Sequence, residues 1–260
     1  MKYPDCTLID CDQRTPEWHE HRKGYLTASM FGAWLADSGL SLQITIEGLK
    51  SHLDELGIDH KKCKNKDQYA ALVPDLRPFM GHSSSFKSAR MTASAQVLAD
   101  AAGYPDPPVF ENADIRRGIE MEPVALQEFQ KLTKLTVDAI GFAKSRHGLF
   151  GCSPDGLILE TASGVEVKCP RASKLLEWLQ AGTLPDTYRD QVHGSMAVTG
   201  AKSWHFVGFY EGFPLHHVHV MRDEYTERML EGLKAFSGYL QATSEKMTAL
   251  MAEQLKKIQP

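Results

Sequence analysis

No run of apolar residues in this chain approaches the roughly 18–20 needed for a membrane-spanning helix. No basic stretch leads into an apolar segment near the N-terminus. These absences predict a soluble, cytoplasmic protein that does not engage a membrane. Cysteine is scarce. Cys6, Cys11, Cys63, Cys152 and Cys169 are odd in number and irregularly spaced. That suits a reducing compartment better than a disulfide framework. A zinc site on Cys6, Cys11 and Cys63 lacks the support of any CxxC pair. There is no excess of positive charge either. The net charge of −4 argues against a surface that is basic all over. It leaves room for a localised basic groove, because binding depends on where the charge sits. No internal repeat or low-complexity segment is found.

What is present is a hydrophobic content of 42% over 260 residues, enough for a sizeable core in one domain or one domain with an insertion. Residues 15–37 read as helical, broken at Gly24, with Thr27 or Ser29 available to cap a second helix. Residues 38–86 are less regular and include the run Lys61-Lys62-Cys63-Lys64-Asn65-Lys66. They read as an insertion or mobile arm. A helix over 87–102 ends at Gly103, and Tyr104-Pro105-Asp106-Pro107-Pro108 reads as a loop or linker. A helix over 114–134 has Ile119, Val124, Leu126, Phe129 and Leu132 as its apolar side, despite Pro123. Strands are expected near 137–143, 147–152, 155–160 and 164–169, helices over 173–182 and 187–199, and strands over 202–210 and 214–221. A long amphipathic helix is expected over about 223–257, with Met229, Leu233, Phe236, Leu240, Met247, Leu250 and Met251 on its apolar side. The order predicts an α/β domain with a central mixed sheet flanked by helices.

The chemistry concentrates in Gly151-Cys152-Ser153-Pro154-Asp155-Gly156 and Gly164-Val165-Glu166-Val167-Lys168-Cys169-Pro170. Alternation along a strand puts Glu166 and Lys168 on one face and Val165 and Val167 on the other. A hairpin between the segments brings Asp155 beside Glu166. Two carboxylates and an ammonium together suit a hard divalent cation and an anionic substrate. Phosphodiester hydrolysis needs that combination, since a metal acidifies a water and neutralises charge in the transition state. Mg2+, with Mn2+ as a substitute, is the expected ion, one or two per subunit. Asp155 can bridge two ions, and Glu166 with the Val167 carbonyl can complete one of them. Lys168 can orient or deprotonate the water, or stabilise negative charge. A third carboxylate should come from the preceding helix, where Glu120 and Glu122 diverge by about 200° so that only one faces the site. Glu122 is preferred, and Glu120 is second.

Each piece alone has an ordinary explanation. A Glu-x-Lys pair is usually a solvated strand face, and Pro-Asp-Gly is common turn chemistry. Trp18 is more simply core than a base-stacking platform. His217 and His219 share a strand face and receive no role. The Lys61–Lys66 run is usually a solvated charge run, with a DNA-contacting arm as the alternative. Taken together, Pro154-Asp155 and Glu166-Val167-Lys168 match the PD-(D/E)xK nuclease pattern and its restriction-endonuclease-like core. Residues 1–260 then form one nuclease domain, with the insertion at 38–86 and the long final helix.

The chain further resembles the bacteriophage lambda exonuclease family, the YqaJ-like viral recombinases. Trp18-His19 with Arg22, Gly24 and Thr27-Ala28-Ser29 resembles the family's N-terminal motif. Gly118 with Glu122 resembles its helix motif. Cys152 to Leu157 and Glu166 to Pro170 resemble its catalytic hairpin. Gln191-Val192, Ser195-Met196 and Val198-Thr199 resemble its late helix. Residues 38–86 are longer than the corresponding family loop. The resemblance implies a 5′→3′ exonuclease on double-stranded DNA ends that releases mononucleotides and leaves a 3′ strand for a single-strand annealing recombinase. It implies a homotrimeric ring, and a 5′-phosphate pocket matching Arg22, Ser29, Ser153 and Lys174. Lys174 stands where one family member carries arginine and lacks the bidentate fork. Tyr188 and Gln191 match positions near the catalytic lysine and the metal.

Two other readings compete. A restriction-type endonuclease would use the same Asp155, Glu166 and Lys168, but an internal cutter has no need of a 5′-end pocket. A non-catalytic DNA-end-binding adaptor gains nothing from keeping a costly like-charge cluster.

Overall fold

The computed structural model describes residues 2–35, 40–82, 84–105 and 112–258. It divides into two compact units, one of Met1–Ala36 with Met91–Pro260, the other of Asp37–Arg90.

The first unit opens with strand β1 (Cys6–Ile9), an element that no sequence pattern announces. Helix α1 (Pro16–Arg22) follows, with the Thr15 side chain accepting from Trp18 N and Pro16 at its first position. It ends before Gly24, whose φ of +75° only glycine adopts without strain. A 3-10 helix then spans Ala28–Trp34. Thr27 occupies its capping position but makes no side-chain capping bond.

The second unit holds β2 (Leu40–Leu42), α2 (Ile46–Glu55), α3 (Lys66–Ala70) and β3 (Met80–His82). Among its described residues, the segment expected to be irregular therefore carries α2, α3, a 3-10 turn at Arg77–Phe79, a β2–β3 antiparallel pair and its own core of Leu49, Leu53, Tyr69, Ala70 and Val73. Short elements separated by polar loops leave too little periodicity to register in a sequence window.

Helix α4 (Ser84–Ala101) belongs to the first unit from Met91 onward. From Asp106, the expected 104–108 loop lies outside the described residues. Helix α5 (Ala113–Thr133) is capped by Asn112, and Lys134 closes it in the left-handed conformation. Its buried stripe matches the expected one only in part. Ala125 and Phe129 are buried, with Met121 and Leu126 packed beside them, whereas Val124 and Leu132 are exposed. Met121, Ala125 and Phe129 follow at four-residue spacing and so share the face that packs against the sheet.

Strands β4 (Phe142–Ser145) and β5 (Gly151–Cys152) join β1 in a three-stranded antiparallel sheet. The expected strand from residue 137 shrinks to an isolated bridge between Asp138 and Leu157 ahead of β4. Strands β6 (Gly156–Ile158) and β7 (Ser163–Lys168) form a hairpin. Helices α6 (Ala172–Ala181) and α7 (Asp186–Thr199) cross over to β8 (Ser203–Gly208), which runs parallel to β7 and antiparallel to β9 (His216–Met221). The order β6-β7-β8-β9 is a mixed sheet flanked by helices. Val165, Val167 and Val207 face α5 on one side. On the other, Trp204 and Phe206 join the larger core with Val192 and Met196 of α7. At Gly164 the Trp204 ring comes so close that an added Cβ would meet it at 2.3 Å.

Helix α8 (Glu224–Ile258) buries Met229, Leu233, Phe236 and Leu240 in this core. Met247 and Leu250 are exposed and the Met251 side chain lies outside the described ones, so the described part of the expected stripe is covered only as far as Leu240. Among the described residues, no helix is long and apolar enough to cross a membrane. All five cysteines are free thiols.

His217 and His219 meet His205 on the α5 side of the sheet. His205 Nδ1 lies 2.9 Å from His217 Nε2, and the rings of His205 and His219 stack at 4.3 Å. Burial, then the neighbouring His219 and His217, push His205 from 6.5 down to about 4. The folded protein thus refuses a proton that the unfolded chain accepts below pH 6.5. The contribution of His205 is fully present above that pH and is lost toward pH 4. Between pH 7 and pH 5 this group should cost about 2 kcal/mol of stability. Urea unfolding at the two pH values should show a smaller loss in His205→Gln. Equal losses in both proteins would remove His205 as the source.

Candidate active site

The β6–β7 hairpin builds the centre. Its register sets Gly156 opposite Val165, which places Asp155 at the mouth of the hairpin beside Glu166. Asp155 Oδ2 accepts from Val167 N at 2.6 Å. The Pro154 turn is held by Gln13, whose Nε2 donates to the Pro154 carbonyl at 2.7 Å and to the Ile140 carbonyl at 3.0 Å. Past β7, Arg117 donates to the carbonyls of Cys169 and Pro170 at 2.9 and 2.8 Å, tying the strand's exit to α5.

Glu166 is buried at 2% exposure, yet it is an ionisable group with two donors on one oxygen. Its Oε1 accepts from Gln191 Nε2 at 2.5 Å and from Lys168 Nζ. Lys168 Nζ also lies 5.5 Å from the centre of the Tyr188 ring, which stacks on Phe206. Thus α7 delivers Gln191 and Tyr188 to the face of β7 that carries Glu166 and Lys168.

The electrostatics follow from two carboxylates sharing a poorly solvated space. Desolvation first, then the charges of Glu166 and Glu122, push the Asp155 carboxyl well above its ordinary range against the pull of Lys168 and the Val167 N–H. Burial raises Glu166 too, opposed by Lys168 and reinforced by Glu122. Burial works against the Lys168 ammonium, but Glu166 and Asp155 outweigh it and hold that group above the ordinary lysine range.

Glu122 acts on both carboxylates through its charge and is itself held by Arg14 Nη2 at 3.0 Å. Glu120 is exposed. Among the described residues, no three His, Cys, Asp or Glu side chains converge as a ready metal cage. The donor set still suits a hard cation that keeps most of its waters and takes only one or two carboxylates. A cation would also relieve the Asp155–Glu166 repulsion.

A second cluster adjoins the first. Arg22 Nη1 donates to Ser153 Oγ at 2.8 Å, and its guanidinium lies 4.1 Å from the centre of the Trp18 ring. Trp18 Nε1 donates to Ser153 Oγ at 3.0 Å and to the Gly141 carbonyl at 2.9 Å. A cavity of about 820 Å³ opens here, lined by His19, Arg22, Lys23 and Thr27 with Gln96 and Asp100 of α4. Ser29 lies in the 3-10 helix, and its side chain is outside the described ones. Lys174 is exposed on α6 and paired with Glu177 at 2.7 Å. No contact among the described residues joins it to Arg22 or Ser153.

The structure thus brings together Asp155, Glu166, Lys168, Gln191 and Tyr188, and separately Arg22 with Ser153. Sequence reasoning missed Gln13 and Arg14, which immediately precede the Thr15 cap, and it assigns no role to Arg117. No local pattern marks residues that act across more than 100 positions.

The model of the YqaJ-like viral recombinase domain matches residues 17–202. The chain belongs to this family. The match takes in both clusters, from Trp18 and Arg22 to Gln191. Among solved structures, an alkaline exonuclease, LHK-Exo from Laribacter hongkongensis, is similar in fold. It has a TM-score of 0.65 and 22% identity, covering 92% of this chain and 100% of that one. The structure of LHK-Exo in complex with dAMP aligns with the same figures, TM-score 0.65 and 22% identity. No curated protein matches the chain.

Proposed function

We propose that this recombinase-family chain is a Mg2+-dependent 5′→3′ exonuclease. It degrades one strand of linear double-stranded DNA to 5′-mononucleotides and leaves a 3′ strand for a single-strand annealing partner. The observation that carries the reading is the adjacency of the two clusters on one segment. Ser153, bound by Arg22, lies two residues from Asp155. Two residues of extended chain span at most about 7 Å. A terminal phosphate held at Arg22 and Ser153 would therefore lie on the scale of one nucleotide from the carboxylates. An enzyme that cuts within a duplex has no use for that spacing. The dAMP bound by LHK-Exo, a deoxynucleoside monophosphate, is of the product class expected here.

The Mg2+ ion, or Mn2+ in its place, would be held by Asp155, Glu166, the Val167 carbonyl and Glu122, and would acidify a water and neutralise charge at the phosphate. Gln191 and Lys168 fix the orientation of Glu166. The charges of Glu166 and Asp155 favour the ammonium form of Lys168. Its role is then to stabilise charge developing on the phosphate oxygens rather than to take a proton from water. The family resemblance implies Ser29 and Lys174 as further phosphate contacts, and Tyr188 backs Lys168. A homotrimeric ring in the host cytoplasm is the assembly and location that the family implies.

The test uses linear duplex labelled at its 5′ or 3′ end, with Mg2+, beside a covalently closed circle. Release of the 5′ label as mononucleotide, with the circle intact, is expected. A cut circle would replace this reading with the endonuclease, and no cleavage of either substrate would favour the adaptor.

The pocket has its own expected result. Arg22→Ala should slow digestion of 5′-phosphorylated ends about ten-fold or more, because the terminal phosphate loses a charge-assisted hydrogen bond. It should affect 5′-hydroxyl ends much less. Equal slowing on both ends would show that Arg22 only supports the fold.

A further inference from the structure

The proposed chemistry makes no use of the Asp37–Arg90 unit, which has a core of its own. Its α2–α3 loop presents Lys61, Lys62 and Lys64, all exposed. The loop is pinned at several points. Ile58 N donates to the Leu53 carbonyl at 2.9 Å, Tyr69 Oη to the Cys63 carbonyl at 3.0 Å, and Lys64 N to Gln68 Oε1 at 2.7 Å. The lysines thus project from a fixed backbone.

Two of the carboxylates nearby bond to other groups. Asp54 Oδ1 lies 3.0 Å from His60 Nε2, and Asp59 Oδ1 accepts from the backbone N of Lys61 at 3.1 Å. None of the three ammonium groups has a carboxylate partner among the described residues. Two further lysines border the loop. Lys50 lies 5.5 Å from the centre of the Tyr69 ring, and Lys66 donates to the Leu42 carbonyl at 2.8 Å. Residues 60–66 thus carry four lysines and no carboxylate on an ordered support, with Asp54, Glu55, Asp59 and Asp67 at its flanks.

We propose that this unit is a second DNA-binding site, which holds the duplex backbone through Lys61, Lys62 and Lys64 without regard to sequence. The inference rests on the reading of the chain as a DNA nuclease, and it adds a contact apart from the end-binding pocket. Lysine ammonium groups neutralise phosphates and release counterions, and such contacts carry no base information. Two linked sites keep a substrate near its enzyme after each cleavage event. The unit should therefore govern affinity and the length of each digestion run, not the chemical step.

The test is the full chain carrying Lys61→Glu, Lys62→Glu and Lys64→Glu, compared with the same positions changed to arginine. Binding of a blunt duplex is followed by fluorescence anisotropy in chelator at several salt concentrations. Cleavage is measured separately at saturating duplex with Mg2+. The glutamate variant should bind at least ten-fold more weakly at low salt. Its slope of log affinity against log salt should become shallower by about 2–3, at about 0.9 for each phosphate that is no longer neutralised. Cleavage at saturation should match wild type, and the arginine variant should bind like wild type. An active glutamate variant with wild-type affinity and slope overturns the proposal. Weaker binding of single-stranded DNA but not of duplex overturns it too, and assigns the lysines to the product strand. If the wild-type chain cuts no DNA but the slope still falls, the nuclease reading fails while the binding site stands.

Discussion

Replacing Lys168 by alanine should lower single-turnover cleavage by about 10³-fold, within the range seen when a charge-stabilising donor is removed from an active site. The fold should survive. Glu166 keeps Gln191 as a donor at 2.5 Å, and its carboxyl is already pushed upward by burial. On losing the ammonium it can take up a proton instead of remaining a bare buried charge. Lys168→Arg separates the two roles the sequence leaves open. A guanidinium keeps its charge and cannot act as a base. If Lys168 stabilises charge, the arginine variant should run at least about ten-fold faster than the alanine variant, although its geometry is imperfect. Equal rates for arginine and alanine would return Lys168 to the role of base. Wild-type rates for alanine would remove it from the mechanism.

Asp155→Asn should abolish cleavage and Mg2+ binding together, yet leave the metal-free protein as stable as wild type or about 1 kcal/mol more so. Asparagine keeps an oxygen to accept the Val167 N–H, the bond at 2.6 Å that closes the hairpin mouth. What it removes is a carboxylate strained by desolvation and by the charges of Glu166 and Glu122. An active site often gives up stability to hold like charges together, and this substitution returns part of it. Asp155→Ala should lose metal and activity as well, but without the gain, because the Val167 N–H is left without its acceptor. Calorimetric metal titration and thermal melts in chelator check both statements. Retained Mg2+ affinity in Asp155→Asn would move the metal to other ligands. A marked fall in melting temperature would show that the carboxylate supports the fold.

Some of this site was legible in the chain because its chemistry is local. Asp155, Glu166 and Lys168 sit on one hairpin, and strand alternation alone assigns Glu166 and Lys168 to one face. The helices from 113 and 186 and the long helix from 224 were legible for a related reason, since caps, glycine stops and helical spacing act over a few residues. The extent of the insertion was read closely, but its internal structure was not, because its helices are short and its core is assembled from distant pieces such as Leu42 and Phe79. Strand β1 escaped notice because Cys-Thr-Leu-Ile gains its meaning only from pairing with residues 142–145, far along the chain.

The sequence by itself determined the inventory, namely two carboxylates and a lysine at hairpin spacing, an arginine–serine motif upstream, and the order of elements that makes a mixed sheet. Tertiary structure decided the connections. It placed Gln191 on Glu166, set Arg22 on Ser153 two residues from Asp155, and drew Arg14 to Glu122 across the fold. It also raised the two carboxylates and gathered His205, His217 and His219 under α5. The physical reason is range. Propensity, alternation and capping act between neighbours in sequence, whereas desolvation and charge coupling depend on which side chains folding brings within a few ångströms of each other.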